Sequence, residues 1–512
     1  MDYPLGIQTF KDIINGHFLY IDKTDLVYNL TRLKRFYLLI RPRRFGKSVL
    51  ISTLEAYFLG KRELFKNLKI MKMKTKWETY PVLRLDLNSE NYKEENAVYE
   101  IINRRLCEWE KIYGKEDYET TISSRFEGII KRVREKTGKQ VVVLVDEYDK
   151  PLVSTIDNKE LNDKFREQLK AFYAVIKSQD ENLRFAMLTG VTRFSHVSVF
   201  SDLNSFTDIS LRSEYQALCG ITDEEIDTFC HETVEEMAAA NNTDYKNMRE
   251  QLRKEYDGYH FCEGGIGVYN PYSLMNAFDS KKIKRYWFRT GTPTFLTVLL
   301  KNSHLPLDRL TGGKQTEDQL CGEEDFRQNP LPVMFQSGYL TITDYDQKKM
   351  KYTLGFPNQE VKGGFLDALV PIFLRTRKSS PQSIDEIVDD IYAGDPESFM
   401  KRIQTLFASL DYSIAGEMEL YFHNSLCLLF WLIGQDVHTE RHTSDGRMDA
   451  TVETDDYLYI FEIKLDGSSE EAVRQIEEKN YAYPFALSGK RIYKIGVNFS
   501  SETRGIESYI IK

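Results

Sequence analysis

The sequence predicts an α/β protein with two separate sheet-bearing parts. Three observations carry that expectation. From residue 1 to about 215, apolar runs of strand length alternate with helix-length amphipathic stretches. The tripeptide Gly46-Lys47-Ser48 falls where one such run gives way to a helix. A second strand–helix–strand pattern begins after residue 413, beyond a long, mainly helical stretch.

The bulk numbers bound what such a chain does. A length of 512 residues suggests roughly three or four domains. Hydrophobic residues make up 41% and charged residues 29%, which is ordinary for well-cored domains. The net charge of -9 gives no long-range positive field to draw in nucleic acid. The longest apolar runs fall short of a membrane span, so no membrane partner is expected. "MDYPLGIQTFKDI" lacks the basic start and apolar core of a signal peptide. Cys107, Cys219, Cys230, Cys262, Cys321 and Cys427 form no CxxC pair, which fits a reducing, cytoplasmic setting.

Along the first part, "RFYLLI" (35–40) is a short strand, and "SVLISTLEAYFLG" (48–60) is a helix closed by Gly60. Between them lies "RPRRFGKS" (41–48). Its end matches a phosphate-binding loop: backbone N–H groups cradle phosphate, Lys47 reaches the β/γ oxygens and the Ser48 hydroxyl reaches Mg²⁺. Its beginning does not, because the generic first glycine is replaced by Arg41. Arginine enters the left-handed region only at a cost, so Arg41-Pro42 must build the turn another way. Arg43, Arg44, Phe45, Gly46 and Val49 complete the loop and its flank; Arg43 and Arg44 would ride on phosphates or face acidic partners.

"YPVLRLDLNS" (80–89), "QVVVLVDEYD" (140–149) and "LRFAMLTGV" (183–191) read as further strands of a parallel sheet buried on both faces. The second ends in Asp146-Glu147, where Asp146 would hold Mg²⁺ and Glu147 would polarise an attacking water. ATPases with a catalytic glutamate add a strand between the two motif strands, and the strand at 80–89 is read as that intervening one. Thr189 would be a polar sensor of the phosphate. Arg193 would reach a γ-phosphate or serve as a surface arginine. ATP and Mg²⁺ are therefore the expected ligands of an ASCE-type P-loop ATPase domain.

Residues 220–260 read as helices of a lid, followed by helical "YNPYSLMNAF" and "YWFRTGTPTFLTVLL". "PLPVMFQSGYLTITDYDQKKMKYTLGFPN" (330–358) reads as a helix and a two-stranded hairpin, a winged-helix-like pattern. Residues 363–412 are again helical.

The last part begins with the apolar helix "EMELYFHNSLCLLFWLIG" (417–434) and continues as a compact α-β-β-β-α-β unit. "GRMDA" and "FEIKL" carry Asp449, Glu462 and Lys464 in the spacing D-x(12)-E-x-K. Two carboxylates converging at one sheet end would hold Mg²⁺. Lys464 faces the same side as Glu462, because strand side chains repeat every second residue, and would orient a metal-bound water against a phosphodiester. The rival reading is a buried Glu462–Lys464 ion pair. Gln475 and Tyr481 add polar groups, and Glu419 is either a third acid or a solvated helix start. Residues 419–512 carry 10 Lys/Arg against 16 Asp/Glu, a net of −6, so this module alone is a weak match for a phosphate backbone.

Taken together, "YIDKTDLV" (20–27), "RPRRFGKS", "VVLVDEYDKPL" (142–152), "LTGVTRFS" (188–195), "YDGYHF" (256–261), "YNPYSL" (269–274), "GYLT" (338–341), "GRMDA" and "FEIKLD" resemble the bacterial proteins that join an AAA-ATPase-like domain to a C-terminal PD-(D/E)XK nuclease-like domain. The resemblance spans nearly the whole chain. It implies an ATPase domain over 1–215, a helical lid and connector over 216–325, a winged-helix-like and helical linker region over 326–412, and a restriction-endonuclease-like α/β domain over 413–512. It also implies that RPRRFGKS is the family's ordinary P-loop. Asp22-Lys23-Thr24 belongs to the nucleotide pocket or starts a helix; "YDGYHF" and "YNPYSL" touch nucleotide or lock the lid. The implied activity is ATP-driven processing of DNA or RNA by a Mg²⁺-dependent nuclease, with room for an oligomer. The alternative is a nucleotide-dependent signalling or binding switch whose nuclease-like domain is catalytically weak or inactive.

Overall fold

The computed structural model describes the chain outside residues 1, 75, 89, 194–205, 289–299, 301–305, 322–328, 375–381, 410–423, 426, 430, 433–435, 444–445 and 504. At 308, 321, 371, 382–385, 409, 436–443 and 446–449 the backbone alone is described. The chain forms two units: Met1–Thr292 with Gly312–Lys362, and Pro293–Thr311 with Gly363–Lys512.

Unit 1 is built on a five-stranded parallel sheet. Its strands are β1 (Phe36–Ile40), β2 (Val82–Asp86), β3 (Val141–Asp146), β4 (Leu183–Gly190) and β5 (Thr207–Asp208), in the order β2-β3-β4-β1-β5. Every residue of β1 and β3 is buried, as continuous Val/Leu/Ile runs require when helices cover both faces of a sheet. The strand added between β1 and β3 is β4; β2 lies at the edge beside β3. This corrects the expectation for residues 80–89. Chain order suggests β2 as the insertion, but its alternating exposure already marks a strand with an open side.

Helices α1 (Phe10–Asn15) and α2 (Thr24–Leu33) precede β1, and α3 (Lys47–Phe58) follows it. Gly46 opens α3 at φ 89°, a left-handed turn that glycine takes without strain. Beyond the sheet, helices Asp223–Phe229, His231–Ala240, Tyr245–Tyr256 and Pro271–Ser280 form the lid, stapled by the short pair β6 (Ile221–Thr222) and β7 (Val268–Tyr269). Thr222 and Glu225 cap the first of these helices reciprocally. The lid core, including Ile226, Val234, Leu252 and Leu274, also takes in Tyr3, Leu5 and Ile21 from the N-terminal segment.

Helices Glu317–Cys321 and Leu331–Ser337 lead into a small antiparallel sheet of β8 (Lys314–Gln315), β9 (Thr341–Asp346) and β10 (Lys351–Gly355), in the order β8-β10-β9. This is the winged-helix-like segment, with one strand more than the hairpin legible in sequence. Tyr286 and Trp287 lie in a turn rather than in the expected helix; 289–299 lie outside the described residues.

Unit 2 contains helices Gln382–Ala393 and Pro396–Ser409 and a mixed sheet in the order β11-β12-β13-β14-β15. Its strands are β11 (Asp436–Thr443), β12 (Gly446–Glu453), β13 (Tyr457–Leu465), β14 (Arg491–Ser500) and β15 (Gly505–Ile511). The parallel pair β13–β14 is joined through helix Ser469–Glu478, whose Ile476 packs on Leu458 and Ile460. The expected unit gains a strand, since β15 closes the edge beside β14 where the sequence reading stops at residue 500. Most of the expected helix 417–434 lies outside the described residues. Among the described residues, no helix is long and apolar enough to cross a membrane.

Candidate nucleotide and metal sites

The loop from Arg41 to Ser48 is held from within. Arg41 is 1% exposed. Its guanidinium donates to the carbonyls of Ile40 and Ser210 at 2.8 Å and Tyr215 at 3.3 Å, and stacks 3.9 Å from the centre of the Phe261 ring. Burial pushes its pKa down to about 10, so it stays charged at neutral pH. The positive φ angles of the loop fall at Arg44 (67°) and Gly46 (89°), not at Arg41. The generic first glycine is therefore unnecessary: the residue in its place keeps an ordinary backbone and acts as an internal tie.

The lid and the winged-helix-like segment complete the clamp. Phe45 meets the edges of Tyr259 and Phe261 at 4.8 and 5.6 Å, and Arg44 stacks 3.8 Å from the Tyr272 ring. The Trp287 indole N–H donates to the Arg43 carbonyl at 3.2 Å. Gly338, at φ 90°, presses against Pro42, where a Cβ would come within 2.6 Å of the proline ring. "YDGYHF" and "YNPYSL" thus lock the loop through Tyr259, Phe261 and Tyr272.

The chemistry-bearing residues converge beside this loop. Lys47 donates to the Arg41 and Pro42 carbonyls at 3.0 Å and pairs with Glu147 at 3.6 Å. Asp146, 1% exposed, accepts from the Thr189 hydroxyl at 2.7 Å. Burial pushes its carboxyl pKa up, opposed by the Ser48 and Thr189 hydroxyls. A hard divalent cation suits this donor set, since it favours the ionised carboxylate that burial penalises. Glu147 takes φ 54°, a strained angle for a glutamate at the end of a strand. The next turn is fixed by buried Asp149, which accepts from the Val191 N–H at 3.0 Å and the Thr192 N–H at 2.6 Å. Burial and then Glu147 raise its pKa. Gly190 is obligatory here, because a Cβ would come within 2.4 Å of Asp149.

These groups open on a cavity of about 610 Å³. Its polar lining includes Arg43, Lys47, Ser48, Glu147 and Lys150; its apolar lining includes Leu5, Ile21, Val27 and Met275. Arg44, Phe45, Gly46 and Val49 line it as well. Thr189 reaches the site through Asp146. Arg193 does not line the cavity: its guanidinium pairs with Asp208 at 3.3 Å and its backbone N–H donates to Gln336. Asp22 and Thr24 are likewise structural: Asp22 accepts from the Thr24 N–H and hydroxyl and from the Lys69 N–H, while Lys23 lines the cavity. Sequence reasoning missed Lys150, directly after the acidic motif, and the segment Pro4–Gln8, whose Leu5 and Ile7 were legible only as scattered apolar residues.

In unit 2, Glu462 is 2% exposed. The Lys464 ammonium lies 3.2 Å from its carboxylate and 2.7 Å from the Gln475 carbonyl oxygen, and the Gln475 amide meets the Tyr481 hydroxyl at 3.5 Å. The β12–β13 ladder pairs Ala450 with Phe461, so the same register brings the backbone of Asp449 level with Glu462. Hard carboxylate oxygens on adjacent strands suit Mg²⁺. Glu419 lies outside the described residues.

Comparison with known proteins agrees with this division. A family model described as a predicted AAA-ATPase matches residues 4–200, and one for the PD-(D/E)XK nuclease superfamily matches 417–509. The "Uncharacterized protein in vnfD 5'region" of Azotobacter chroococcum mcd 1 is 33% identical over 522 residues, spanning 99% of this chain and 98% of that protein. Among solved structures, the Aeropyrum pernix ORC2 protein (ADPNP–ADP complexes) aligns with 69% of this chain and 95% of its own at 10% identity, with a TM-score of 0.26, too low to bear on the argument. With both domains matched and a relative aligned from end to end, the chain belongs to the family that joins an AAA-ATPase-like domain to a C-terminal PD-(D/E)XK nuclease-superfamily domain.

Proposed function

We propose that unit 1 binds and hydrolyses ATP, and that this cycle governs Mg²⁺-dependent cleavage of DNA or RNA by unit 2. The observation that carries the first half is one cavity lined by Lys47, Ser48 and Glu147 together with apolar side chains. Its volume of about 610 Å³ falls within the usual range for small-molecule sites. The start of α3 supplies N–H groups and a favourable dipole for phosphate. Lys47 leaves the Arg41 and Pro42 carbonyls to take β/γ oxygens, and Glu147 polarises the attacking water. Ser48 and Asp146 would hold Mg²⁺, which neutralises phosphate charge when bound.

For unit 2, Asp449 and Glu462 would hold a metal ion that supplies an activated water. Lys464, fixed by Gln475, orients that water toward the phosphodiester. A second reading is favoured by one observation: Lys464 already forms an ion pair with the buried Glu462 carboxylate at 3.2 Å. There unit 2 only binds, and unit 1 acts as a switch. Phosphate release and nucleic-acid cleavage by wild type, Lys47→Ala and Asp449→Ala separate the readings. Loss of ATP turnover in Lys47→Ala supports the ATPase; cleavage undiminished by Asp449→Ala removes the nuclease.

A further inference from the structure

The phosphate end of the cavity carries more positive charge than a P-loop lysine accounts for. Lys47 is engaged with loop carbonyls and Glu147. Arg44 is stacked on Tyr272. Lys23 lines the cavity paired with Glu225, and two further cations, Arg43 and Lys150, line it close enough to influence each other. They come from different elements. Arg43 belongs to the loop between β1 and α3; Lys150 is the first residue of helix Lys150–Ser154, after β3.

Both positions are fixed by their surroundings. The Arg43 carbonyl is held by Trp287. The Lys150 N–H donates to the Glu147 carbonyl at 2.9 Å, so one turn carries both the acid and the cation. That turn is pinned by Asp149 to the amides of Val191 and Thr192. Lys150 is half-buried, and among the described residues its ammonium makes no hydrogen bond or ion pair. Burial lowers its pKa, and the positive charge of Arg43 lowers it further against the pull of Glu147. Like charges brought together on a cavity wall repel each other; an anion seated between them turns that repulsion into attraction. The anion must lie next to Glu147, where water attacks, which is the place of the terminal phosphate and not of the sugar or α-phosphate.

We propose that Arg43 and Lys150 form a clamp for the terminal phosphate, by which this site distinguishes a nucleoside triphosphate from a diphosphate. The inference rests on the nucleotide reading above. Its test is calorimetric titration of the full chain with ADP and with a non-hydrolysable ATP analogue, both with Mg²⁺, in wild type, Lys150→Met, Lys150→Arg and Arg43→Gln. Lys150→Met and Arg43→Gln should weaken the analogue by about tenfold or more, as loss of a charge-assisted contact to phosphate implies. ADP affinity should stay within about twofold, and Lys150→Arg should recover most of the loss. Equal weakening of ADP and analogue in variants that melt like wild type would overturn the clamp. So would analogue binding unchanged in both variants. Should Lys150→Met melt early, the comparison in Arg43→Gln decides. A wild-type chain that binds neither ligand overturns the nucleotide reading itself, a different and recognisable failure.

Discussion

Replacing Arg41 by glycine would restore the generic P-loop consensus, and the structure predicts that it damages the protein. The side chain donates at 2.8 Å to two carbonyls and at 3.3 Å to a third, and stacks at 3.9 Å on Phe261. Leaving buried carbonyls without this donor costs about 1–3 kcal/mol each, and losing a desolvated cation–π contact about 2 kcal/mol. Glycine adds roughly 0.5–1 kcal/mol of backbone entropy. Against this stands relief from burying a guanidinium, itself several kcal/mol. A net loss of about 3–5 kcal/mol results, typical of truncating a buried, bonded group. The melting midpoint of unit 1 should fall by roughly 6–20 °C, given about 2–4 °C per kcal/mol for large domains. Melting curves followed by circular dichroism, with and without ATP, measure this directly. An unchanged midpoint together with tighter ATP binding would refute the claim that Arg41 is the loop's internal tie.

Other substitutions test other links. Glu147→Gln should cut phosphate release by about 10²–10⁴-fold while ATP still binds, as removal of a water-polarising group does; retained turnover assigns that role elsewhere. Asp22→Ala should cost about 1–2 kcal/mol of stability through the lost hydrogen bonds, with ATP affinity within about twofold, because its carboxylate faces Thr24 and Lys69. Burial pushes the Glu360 carboxyl to about 7, opposed by the backbone N–H of Trp287. The folded state therefore holds this proton where the unfolded chain, near its ordinary 4.5, has lost it, so its contribution to stability disappears as pH rises from about 4.5 to about 7. Glu360→Gln should flatten that slope and raise stability at pH 8 by roughly 1–3 kcal/mol, read from urea melts across pH. In unit 2, Lys464→Met should lower Mg²⁺-dependent cleavage of labelled DNA or RNA by about 10²-fold or more; undiminished cleavage would return Lys464 to a structural ion pair.

Much of this was legible because the motifs are local. β1 and β3 are continuous apolar runs, and the residues that end them, Arg41 and Asp146-Glu147, follow directly in the chain. Strand order is not local. Nothing in residues 80–89 or 183–190 states which strand neighbours β1; the polar Arg84 and Asp86 alternating with Leu83 and Leu85 were the available clue. The pairing of Arg193 with Asp208 was illegible for a related reason, since Asp208 sits on β5 and lies nearby only once that strand has paired with β1. Asp22 resembled a pocket residue because an acid that binds backbone N–H groups and one that contacts a ligand look alike in sequence. Lys150 escaped notice because its meaning depends on Arg43, over a hundred residues earlier. The register that brings Asp449 level with Glu462 was foreseeable from the twelve-residue spacing, whereas the tie from Lys464 to Gln475 depends on how helix Ser469–Glu478 packs on β13.

The most direct measurement is titration of the full chain with ATP and Mg²⁺, comparing wild type with Lys47→Ala. One ATP should bind per wild-type chain, and binding should weaken by about a hundredfold or more in the variant, as loss of the phosphate-bound lysine implies. A wild-type chain that takes up no ATP, or a variant that binds it as well as wild type, would contradict the claim that the cavity behind Arg41–Ser48 is a nucleotide site.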